Sequence, residues 1–285
     1  MIRSAVFLAT GFLLAFFAPP GQAFEACADL LPGGTAPHQT STTLVDLCKR
    51  AEDQDAFVIR FDTVRKIPQW AAHKLTPKQL AQIRTAPAFP TRTDFFSTDT
   101  AVPITAQAQI NTYRNTGYDK GHLVRAQDMN WSAAAYRTSF LMTNMTPQRG
   151  ALNSGPWLGM EKAFQELVES KQRSLWAIAG AYGTNAITPT LKDQPGNAAV
   201  PNCFYKIMVS EDDTPDGGKR YKTLSAVFIN DDHDRKQKTW TTYVTTLDIV
   251  KARSGIDFFQ NLNVETNHDA AFWGVNMPNT PADCL

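Results

Sequence analysis

The sequence predicts an α+β fold with a central, mainly antiparallel sheet flanked by helices. Segments rich in β-branched and aromatic residues lie in both halves of the chain, which is typical of strands. Two of these segments are joined by a polar turn, so they are expected to pair antiparallel. Three other segments carry helix start or helix face signals.

The predicted strands begin with AFVIRFDTV, Ala56 to Val64, which mixes β-branched and aromatic residues. His73, in QWAAHKL, is expected at a strand edge. Further strands are predicted at Leu175 to Tyr182, Phe204 to Ser210 and Thr223 to Asn230. The last two flank EDDTPDGGKR, where Pro215, Asp216 and Gly217 suit a turn. This pair is therefore predicted to form an antiparallel hairpin.

Two helices are predicted from their end signals. In LTPKQLAQIRTA, Thr76 suits the N-cap, Pro77 the first helical position, and Gln79 completes a capping box. TTLDIVKARSGI offers Thr246 as an N-cap and Gly255 as a stop. We expect a short helix at each place.

A third helix is predicted within NSGPWLGMEKAFQELVESKQ. Trp157, Phe164 and Val168 share one face at helical spacing, which is typical of a core stripe. Glu161 lies on the same face, and burial of an unpaired carboxylate is costly. It is either a salt-bridged glutamate near the helix start or a carboxylate that holds the water shell of a cation.

The N-terminus resembles a secretory signal peptide over residues 1–23. Arg3 precedes an apolar run from Ala5 to Ala18, and small residues follow at Gly21 and Ala23. The run is shorter than the roughly 20 apolar residues that span a bilayer. We therefore expect an exported protein, periplasmic or extracellular, with no membrane attachment after signal cleavage.

The remaining chain of roughly 260 residues is long enough for one large domain. LPGGTAPHQTS, Leu31 to Ser41, is the one linker-like region, so residues 24–55 are expected as an N-terminal arm and residues 56–285 as the folded domain.

Four cysteines suit two disulfides in an oxidising compartment. Three connectivities are open, and sequence separation favours Cys27 with Cys48 and Cys203 with Cys284. No CxxC pair is present, so a structural zinc site is less favoured.

Charge is distributed unevenly along the chain. The net charge is +1, and loss of Arg3 brings it to zero, which is not typical of a polyanion binder. The segment from Arg60 to Arg149, however, holds 12 Lys or Arg and 5 Asp or Glu. Either this segment forms a positive cleft for phosphates or folding intermixes it with the acidic remainder.

The stretch GYDKGHLVRAQDMN places His122 among charges of both signs. Taken alone, this stretch is typical of a partly buried histidine at the end of a strand. Asn153 and Glu161 lie downstream, eight positions apart, which is about 12 Å along a continuous helix. This spacing suits an asparagine oxygen bound to Mg²⁺ and a longer glutamate that reaches a coordinated water.

Three linked motifs resemble those of the DNA/RNA non-specific endonucleases, which include secreted bacterial nucleases and mitochondrial endonuclease G. The family's Asp-Arg-Gly-His is matched by Asp119, Lys120, Gly121 and His122. Its Asn-x-x-Pro-Gln and its Leu-Asn-x-x-x-Trp followed by Glu are matched by Asn144 to Gln148, then Leu152, Asn153, Trp157 and Glu161. The resemblance extends over about Ala56 to Asn263 and implies a ββα-metal (His-Me finger) fold.

The resemblance also implies a mechanism. His122 would be the general base, as suits an imidazole with an unperturbed pKa near 6.5. Asn153 would bind Mg²⁺ directly, and Glu161 would hold the ion through water; Mn²⁺ or another divalent cation is an expected substitute.

Three further residues complete the implied catalytic set. Arg92 and Lys120 would contact phosphate, and Asn144 would organise the site. Lys120 stands where the family has arginine, so it keeps the charge but lacks the bidentate fork. Beside the Pro-Gln turn, Asn144 equally suits a local backbone cap.

The expected substrates are DNA and RNA, cleaved with little sequence specificity to leave 5′-phosphate ends, because backbone phosphate contacts carry no sequence information. A protein inhibitor is a further expected partner. Two alternatives are a secreted nucleic-acid-binding protein without catalysis and a phosphodiesterase for small nucleotides. Oligomeric state and biological role do not follow from the sequence.

Overall fold

A computed structural model describes residues 22–39, 41–87, 95–184, 196–232, 239–265, 268–276 and 284. Within them, a seven-stranded antiparallel sheet is covered on both faces, and a separate two-stranded sheet lies beside it. None of the helices in these ranges is long and apolar enough to cross a bilayer. The apolar run of the expected signal peptide and Arg92 lie outside the described residues.

The strands, in chain order, are β1 (Leu44–Ala51), β2 (Gln54–Asp62), β3 (Ile67–Leu75), β4 (Tyr118–His122), β5 (Met145–Arg149), β6 (Leu175–Thr184), β7 (Pro201–Asp213), β8 (Lys219–Ile229) and β9 (Val244–Thr245). The large sheet has the order β1-β2-β3-β6-β7-β8-β9, and β4 pairs with β5. The four predicted strands are confirmed as β2, β6, β7 and β8, and β7 and β8 form the predicted antiparallel hairpin.

The helices are α1 (Pro77–Thr85), α2 (Ala133–Thr138), α3 (Gly150–Asn153), α4 (Pro156–Lys171), α5 (Leu247–Ser254) and α6 (Ala270–Trp273). All three predicted helices are present. The third is divided, because Asn153 ends α3 and the core-facing helix α4 begins at Pro156. A mixed fold with one large antiparallel sheet and flanking helices is therefore confirmed.

Alternation along the strands gives the large sheet two apolar faces. In β7, Phe204 and Met208 join one core with α1 and α4, whereas Tyr205 and Ile207 join another beneath α5 and the N-terminal segment. Trp157 and Phe164 of α4 lie in the first core, as their helical spacing predicts. The sheet therefore separates the side that carries α4 from the side that carries the N-terminal segment.

The N-terminal segment packs closely against this sheet rather than standing apart as an arm. A 3₁₀ helix, Gln22–Leu30, places Phe24 against Trp70 with ring centroids 5.4 Å apart. Further along the segment, β1 forms the sheet's edge and pairs with β2 over its whole length. Disulfides join Cys27 to Cys48 and Cys203 to Cys284, which confirms the favoured pairing.

The sequence does not predict β1, and the charged side chains that this strand buries explain why. Asp46 accepts two hydrogen bonds from the Arg60 guanidinium, at 2.7 and 2.8 Å, and Lys49 forms a buried ion pair with Asp99. Strand patterns are recognised by apolar inward positions. In β1, charged side chains occupy some of those positions, and their partners come from other segments.

His73 does not lie at a sheet edge. It lies in β3, between β2 and β6, and is 3% exposed. Its Nε2 is 3.1 Å from Oδ2 of Asp128. The expectation of an edge position was wrong, because QWAAHKL alone does not show that both neighbouring strands pair with it.

The predicted capping box at the start of α1 is present. The N–H of Gln79 donates to Oγ1 of Thr76, and the N–H of Thr76 donates to Oε1 of Gln79. These two bonds satisfy backbone donors that the first helical turn leaves open.

We expect Thr76→Ala to lower the free energy of unfolding by about 1 kcal/mol, because one capping acceptor is lost. The exposed Lys78→Ala, in the same helical turn, is the matched control and should change it by less than about 0.5 kcal/mol. Urea denaturation measures both variants. Equal effects of the two substitutions would contradict the capping role.

Candidate active site

The candidate site is built on the two-stranded sheet. β4 and β5 pair antiparallel over five residues each, and His122, the last residue of β4, lies opposite Met145. Asn230 joins this unit to the large sheet: its Oδ1 accepts from the N–H of Arg149, and its Nδ2 donates to the carbonyls of Pro147 and Pro201. The strand that carries His122 is therefore held against the core.

Gly121 lies next to His122 where the two strands approach closely. A Cβ atom at this position would lie 2.1 Å from Oε1 of the buried Gln148, so any larger residue displaces that side chain. Glycine therefore allows the β4–β5 pairing that positions His122.

Asn144 is fully buried and bonds to the backbone on both sides of the site. Its Oδ1 accepts from the N–H of Val124 at 2.9 Å, and its Nδ2 donates to the carbonyls of Val124 and Ser139 at 2.9 and 2.8 Å. These bonds tie the chain after His122 to the chain before β5. Asn144 therefore organises the backbone of the site, with no part of its side chain reaching solvent.

The imidazole of His122 is enclosed by aromatic rings. The Phe140 ring meets it edge to face with centroids 4.9 Å apart, and the Phe96 centroid is 5.9 Å away. The indole Nε1 of Trp157 donates to the His122 carbonyl at 3.3 Å. Packing and this hydrogen bond hold the histidine, which as a residue is partly exposed.

Asn153 reaches the site because the chain breaks between α3 and α4. Gly155 has φ −105° and ψ −118°, and a Cβ there would lie 2.3 Å from the Ala151 carbonyl oxygen. At the end of α3, Nδ2 of Asn153 donates to Oδ2 of Asp119 at 3.0 Å. Since a carboxylate only accepts, this bond leaves the amide oxygen of Asn153 for another partner.

Lys120, His122, Arg125, Asn153 and Glu161 line one cleft of about 350 Å³. Phe96 and Phe140 contribute its aromatic walls. Four of the six residues predicted for catalysis therefore meet in one cavity, although they come from β4, α3 and α4. Arg92 lies outside the described residues, and Asn144 lies beneath the site, within the protein.

Glu161 lies at the inner end of the cleft and is 6% exposed. Its Oε1 is 3.1 Å from Nζ of Lys206, and its Oε2 is 3.6 Å from Nε of Arg125. Burial raises the pKa of the Glu161 carboxyl, and the charges of Lys206 and Arg125 oppose that rise. The carboxylate on the apolar face of α4 thus has the partners that its burial requires.

A second buried carboxylate lies behind Glu161. Asp128 accepts from Nε2 of Gln165 at 2.8 Å and contacts His73, and Arg125 is 3.5 Å away. Burial acts to raise the pKa of Asp128, but the His73 hydrogen bond and the charges of Arg125 and Lys206 outweigh it, so this pKa is lowered. Two cations and two carboxylates thus form a charge-balanced group beneath the cleft.

Lys120 is the cation nearest to His122 in the chain, and its side chain is partly exposed. Its Nζ lies over the Phe96 ring, 4.7 Å from the centroid, and partial burial lowers the pKa of its ammonium. Within the described residues Lys120 forms no ion pair. Its charge is therefore available to an anion in the cleft.

Folding intermixes much of the basic segment with acidic residues. Among the described residues, Arg60, Lys74, Arg84, Arg125 and Arg149 all form ion pairs with acidic residues outside the segment. A broad positive surface is therefore not formed by these cations. Among the described residues of this segment, five cations form no ion pair: Lys66, Lys78, Arg114, Lys120 and Arg137. Of these, Lys120 lines the cleft.

Three residues of the site have contacts that the sequence motifs do not predict. Asp119 belongs to the first motif, but only the fold shows that it accepts a hydrogen bond from Asn153. Arg125 lines the cleft, and Lys206 comes from β7, 45 positions after Glu161. The one sequence signal that could have found Lys206 is a lone lysine within an otherwise apolar strand.

Known proteins resemble this chain in sequence. The sequence model of the DNA/RNA non-specific endonucleases matches residues 35–265. Nuclease C1 of Cunninghamella echinulata var. echinulata is 26% identical over 76% of this chain and 85% of its own length. A nuclease of a Nostoc species is 26% identical over 75% of each chain. Human mitochondrial endonuclease G is 26% identical over 56% of this chain and 54% of its own.

A solved structure of the EndoG/EndoGI complex, described as showing the mechanism of EndoG inhibition, shares the fold. It matches with a TM-score of 0.59 and 21% identity over 73% of this chain and 84% of that chain. The match supports the ββα-metal architecture that the motifs imply. Because the family match spans most of the described sheet as well as the residues of the cleft, the chain belongs to the DNA/RNA non-specific endonuclease family.

Proposed function

We propose that this chain is an exported, Mg²⁺-dependent endonuclease that hydrolyses phosphodiester bonds of DNA and RNA with little sequence specificity and leaves 5′-phosphate ends. The observation that carries the proposal is that His122, Lys120, Asn153 and Glu161 line one cleft. A general base, a phosphate-binding cation and two oxygen donors are the parts that phosphodiester hydrolysis needs.

The oxygen donors fit a hydrated Mg²⁺ ion. Asn153 offers its amide oxygen directly, and Glu161 offers a carboxylate suited to a coordinated water. Among the described residues, three His, Cys, Asp or Glu ligand atoms come close enough to share an ion only at Cys27, Cys48 and Asp55, where both cysteines are in a disulfide. A cleft with so few protein ligands suits an ion that keeps several waters.

His122 would take a proton from the attacking water as its oxygen bonds to phosphorus. The bond from phosphorus to the 3′ oxygen then breaks, and that oxygen takes a proton from a water molecule. Phe140 packs against the imidazole, and Trp157 holds the backbone carbonyl of His122, so the ring is positioned for this transfer. Asn153 would hold Mg²⁺ directly and Glu161 would hold it through water, and the ion, or Mn²⁺ or another divalent cation in its place, would supply stabilisation of negative charge.

Lys120 would bind the scissile or an adjacent phosphate as a point charge, since its ammonium lacks the planar fork of arginine. Arg92 would provide a second phosphate contact. Asn144 would act through the backbone it holds. All these contacts are to the sugar-phosphate chain, which supports cleavage of many sequences and of RNA as well as DNA.

Two features support the remaining parts of the proposal. Two disulfides are typical of proteins in oxidising compartments, which supports export to the periplasm or medium. EndoG, which shares the fold, is inhibited in its complex with EndoGI, which supports a protein inhibitor as a partner of this nuclease.

His122→Ala should lower the rate of plasmid cleavage in Mg²⁺ by at least about 100-fold, because a positioned general base contributes roughly 10²–10⁴. DNA binding, measured by filter retention, should stay near the unsubstituted value. His268→Ala is the control, since His268 bonds to the Val275 carbonyl away from the cleft. Cleavage that persists in excess chelator, or a full rate in His122→Ala, would refute the mechanism.

Asn153→Ala should abolish Mg²⁺-dependent cleavage, measured on plasmid DNA, because the amide oxygen proposed to bind the ion is lost.

Asp119→Asn should raise the Mg²⁺ concentration for half-maximal activity, because an amide can donate to Asn153 and release its orientation. Asp213→Asn, which changes an exposed carboxylate at the β7–β8 turn, is the matched control. The positioning role of Asp119 is wrong if both aspartate variants show the same Mg²⁺ titration curve.

Lys206→Met should lower the free energy of unfolding by about 3–5 kcal/mol, because it leaves the buried Glu161 carboxylate short of a cation. The double variant Lys206→Met with Glu161→Gln should recover much of this loss, since both charges are removed together. Urea denaturation tests both. If Lys206→Met alone is as stable as the unsubstituted protein, Lys206 does not stabilise the charge of Glu161.

A further inference from the structure

A second cavity, of about 390 Å³, adjoins the catalytic cleft. The two cavities share Phe96 and Lys120, so they lie on either side of the cation proposed to bind phosphate. Its size is typical of a small-ligand site. Whatever fills it would lie directly next to a phosphate held in the cleft.

Half of the residues that line this second cavity are aromatic or apolar. Phe96, Tyr113, Tyr118 and Ile110 all line it. The hydroxyl of Tyr113 donates to the Met145 carbonyl, so the ring is held with its polar end directed inward. Only three large hydrophobic side chains are exposed among the described residues, and Ile110, 43% exposed, is one of them. The three aromatic rings favour a flat ligand, and the polar half of the lining favours one that also carries polar edges.

The position of the rings is held by cations on neighbouring strands. The guanidinium carbon of Arg149 lies 4.1 Å from the centroid of Tyr118, and Lys120 covers Phe96. Cation–π contacts of this kind keep aromatic walls in place before a ligand binds. The cavity is therefore built in advance of substrate.

Polar groups occur at the border of the cavity. Asn111 and Arg114 offer hydrogen bonds, and Asp119 adds a negative charge on the side of the catalytic cleft. A carboxylate at this place disfavours a second phosphate. Base edges, by contrast, carry donors and acceptors that one amide and one guanidinium can meet in several ways.

We propose that this second cavity is a subsite for the base of the nucleotide next to the scissile phosphate. The inference rests on the proposed function and deepens it. Stacking on aromatic walls accepts any base, so the subsite adds affinity without sequence preference. A base in this cavity has left its stack, which costs less in a single strand than in a duplex.

The first test uses single-stranded oligonucleotides with one central abasic nucleotide and maps every cleavage position in Mg²⁺. We expect one of the two linkages that flank the abasic nucleotide to be cut roughly ten-fold or more slowly than remote linkages, because stacking of one base is lost. The linkage on the other side should be cut at the remote rate, since the cavity lies on one side of the phosphate.

The rate of cleavage at remote linkages of the same strand distinguishes a failure of this inference from a failure of the proposed function. Absence of Mg²⁺-dependent cleavage everywhere would refute the function and with it the subsite. Normal cleavage of remote linkages together with equal rates at both flanking linkages, whether unchanged or reduced, would overturn the subsite alone.

The second test compares Ile110→Ser with Ile104→Ser. Both side chains are exposed, at 43% and 51%, but only Ile110 lines the cavity. We expect Ile110→Ser to raise the KM for single-stranded DNA roughly three- to ten-fold with an unchanged kcat, because apolar contact with the base is lost. In this variant the two linkages that flank an abasic nucleotide should also be cut at more similar rates.

Ile104→Ser should match the unsubstituted protein in KM, kcat and abasic pattern. Thermal unfolding of both variants verifies that the fold is intact, and the abasic substrate tests the unsubstituted protein if either variant fails to fold. Equal KM values for the two variants would overturn the subsite.

Discussion

The antiparallel pairing of β4 with β5 is the constraint on which the cleft depends. This ladder reverses the chain after His122 and delivers it to α3, which ends at Asn153, 31 positions later in the sequence. Asn144 locks the intervening backbone through three hydrogen bonds. His122 and Asn153 line one cleft because this short unit is held against the large sheet.

Beneath the cleft, the interior is charged rather than apolar. Glu161 and Asp128 are buried with Lys206 and Arg125, and the charges balance. Removing such groups from water is costly, and their attraction offsets that cost only with good geometry. The arrangement therefore fixes the position of the Glu161 carboxyl, with Lys206 and Arg125 beside it.

The geometry of the cleft also fits a nuclease family that accepts many nucleic-acid sequences. The groups that face the scissile position are suited to phosphate, metal and water, which are the same in every nucleotide. Lys120 lies between the catalytic cleft and the aromatic cavity, so one cation adjoins both. Asp119 likewise adjoins both, since it accepts a hydrogen bond from Asn153 and lines the neighbouring cavity. With the proposed subsite, affinity would come from the backbone and from base faces, neither of which encodes sequence.

The sequence alone determined the features that depend on near neighbours. The capping box of α1, the β7–β8 turn, the apolar stripe of α4 and the spaced motifs around His122 and Asn153 all depend on residues a few positions apart. Only the tertiary structure decided that β1 closes the sheet edge with buried charges, that His73 pairs with Asp128, that Asp119 orients Asn153, and that Lys206 meets Glu161. Those partners are 34 to 55 positions apart in the chain where they form the site. Local propensity carries no information about such contacts, because they arise only when separate elements pack together and each buried charge must find its counterpart.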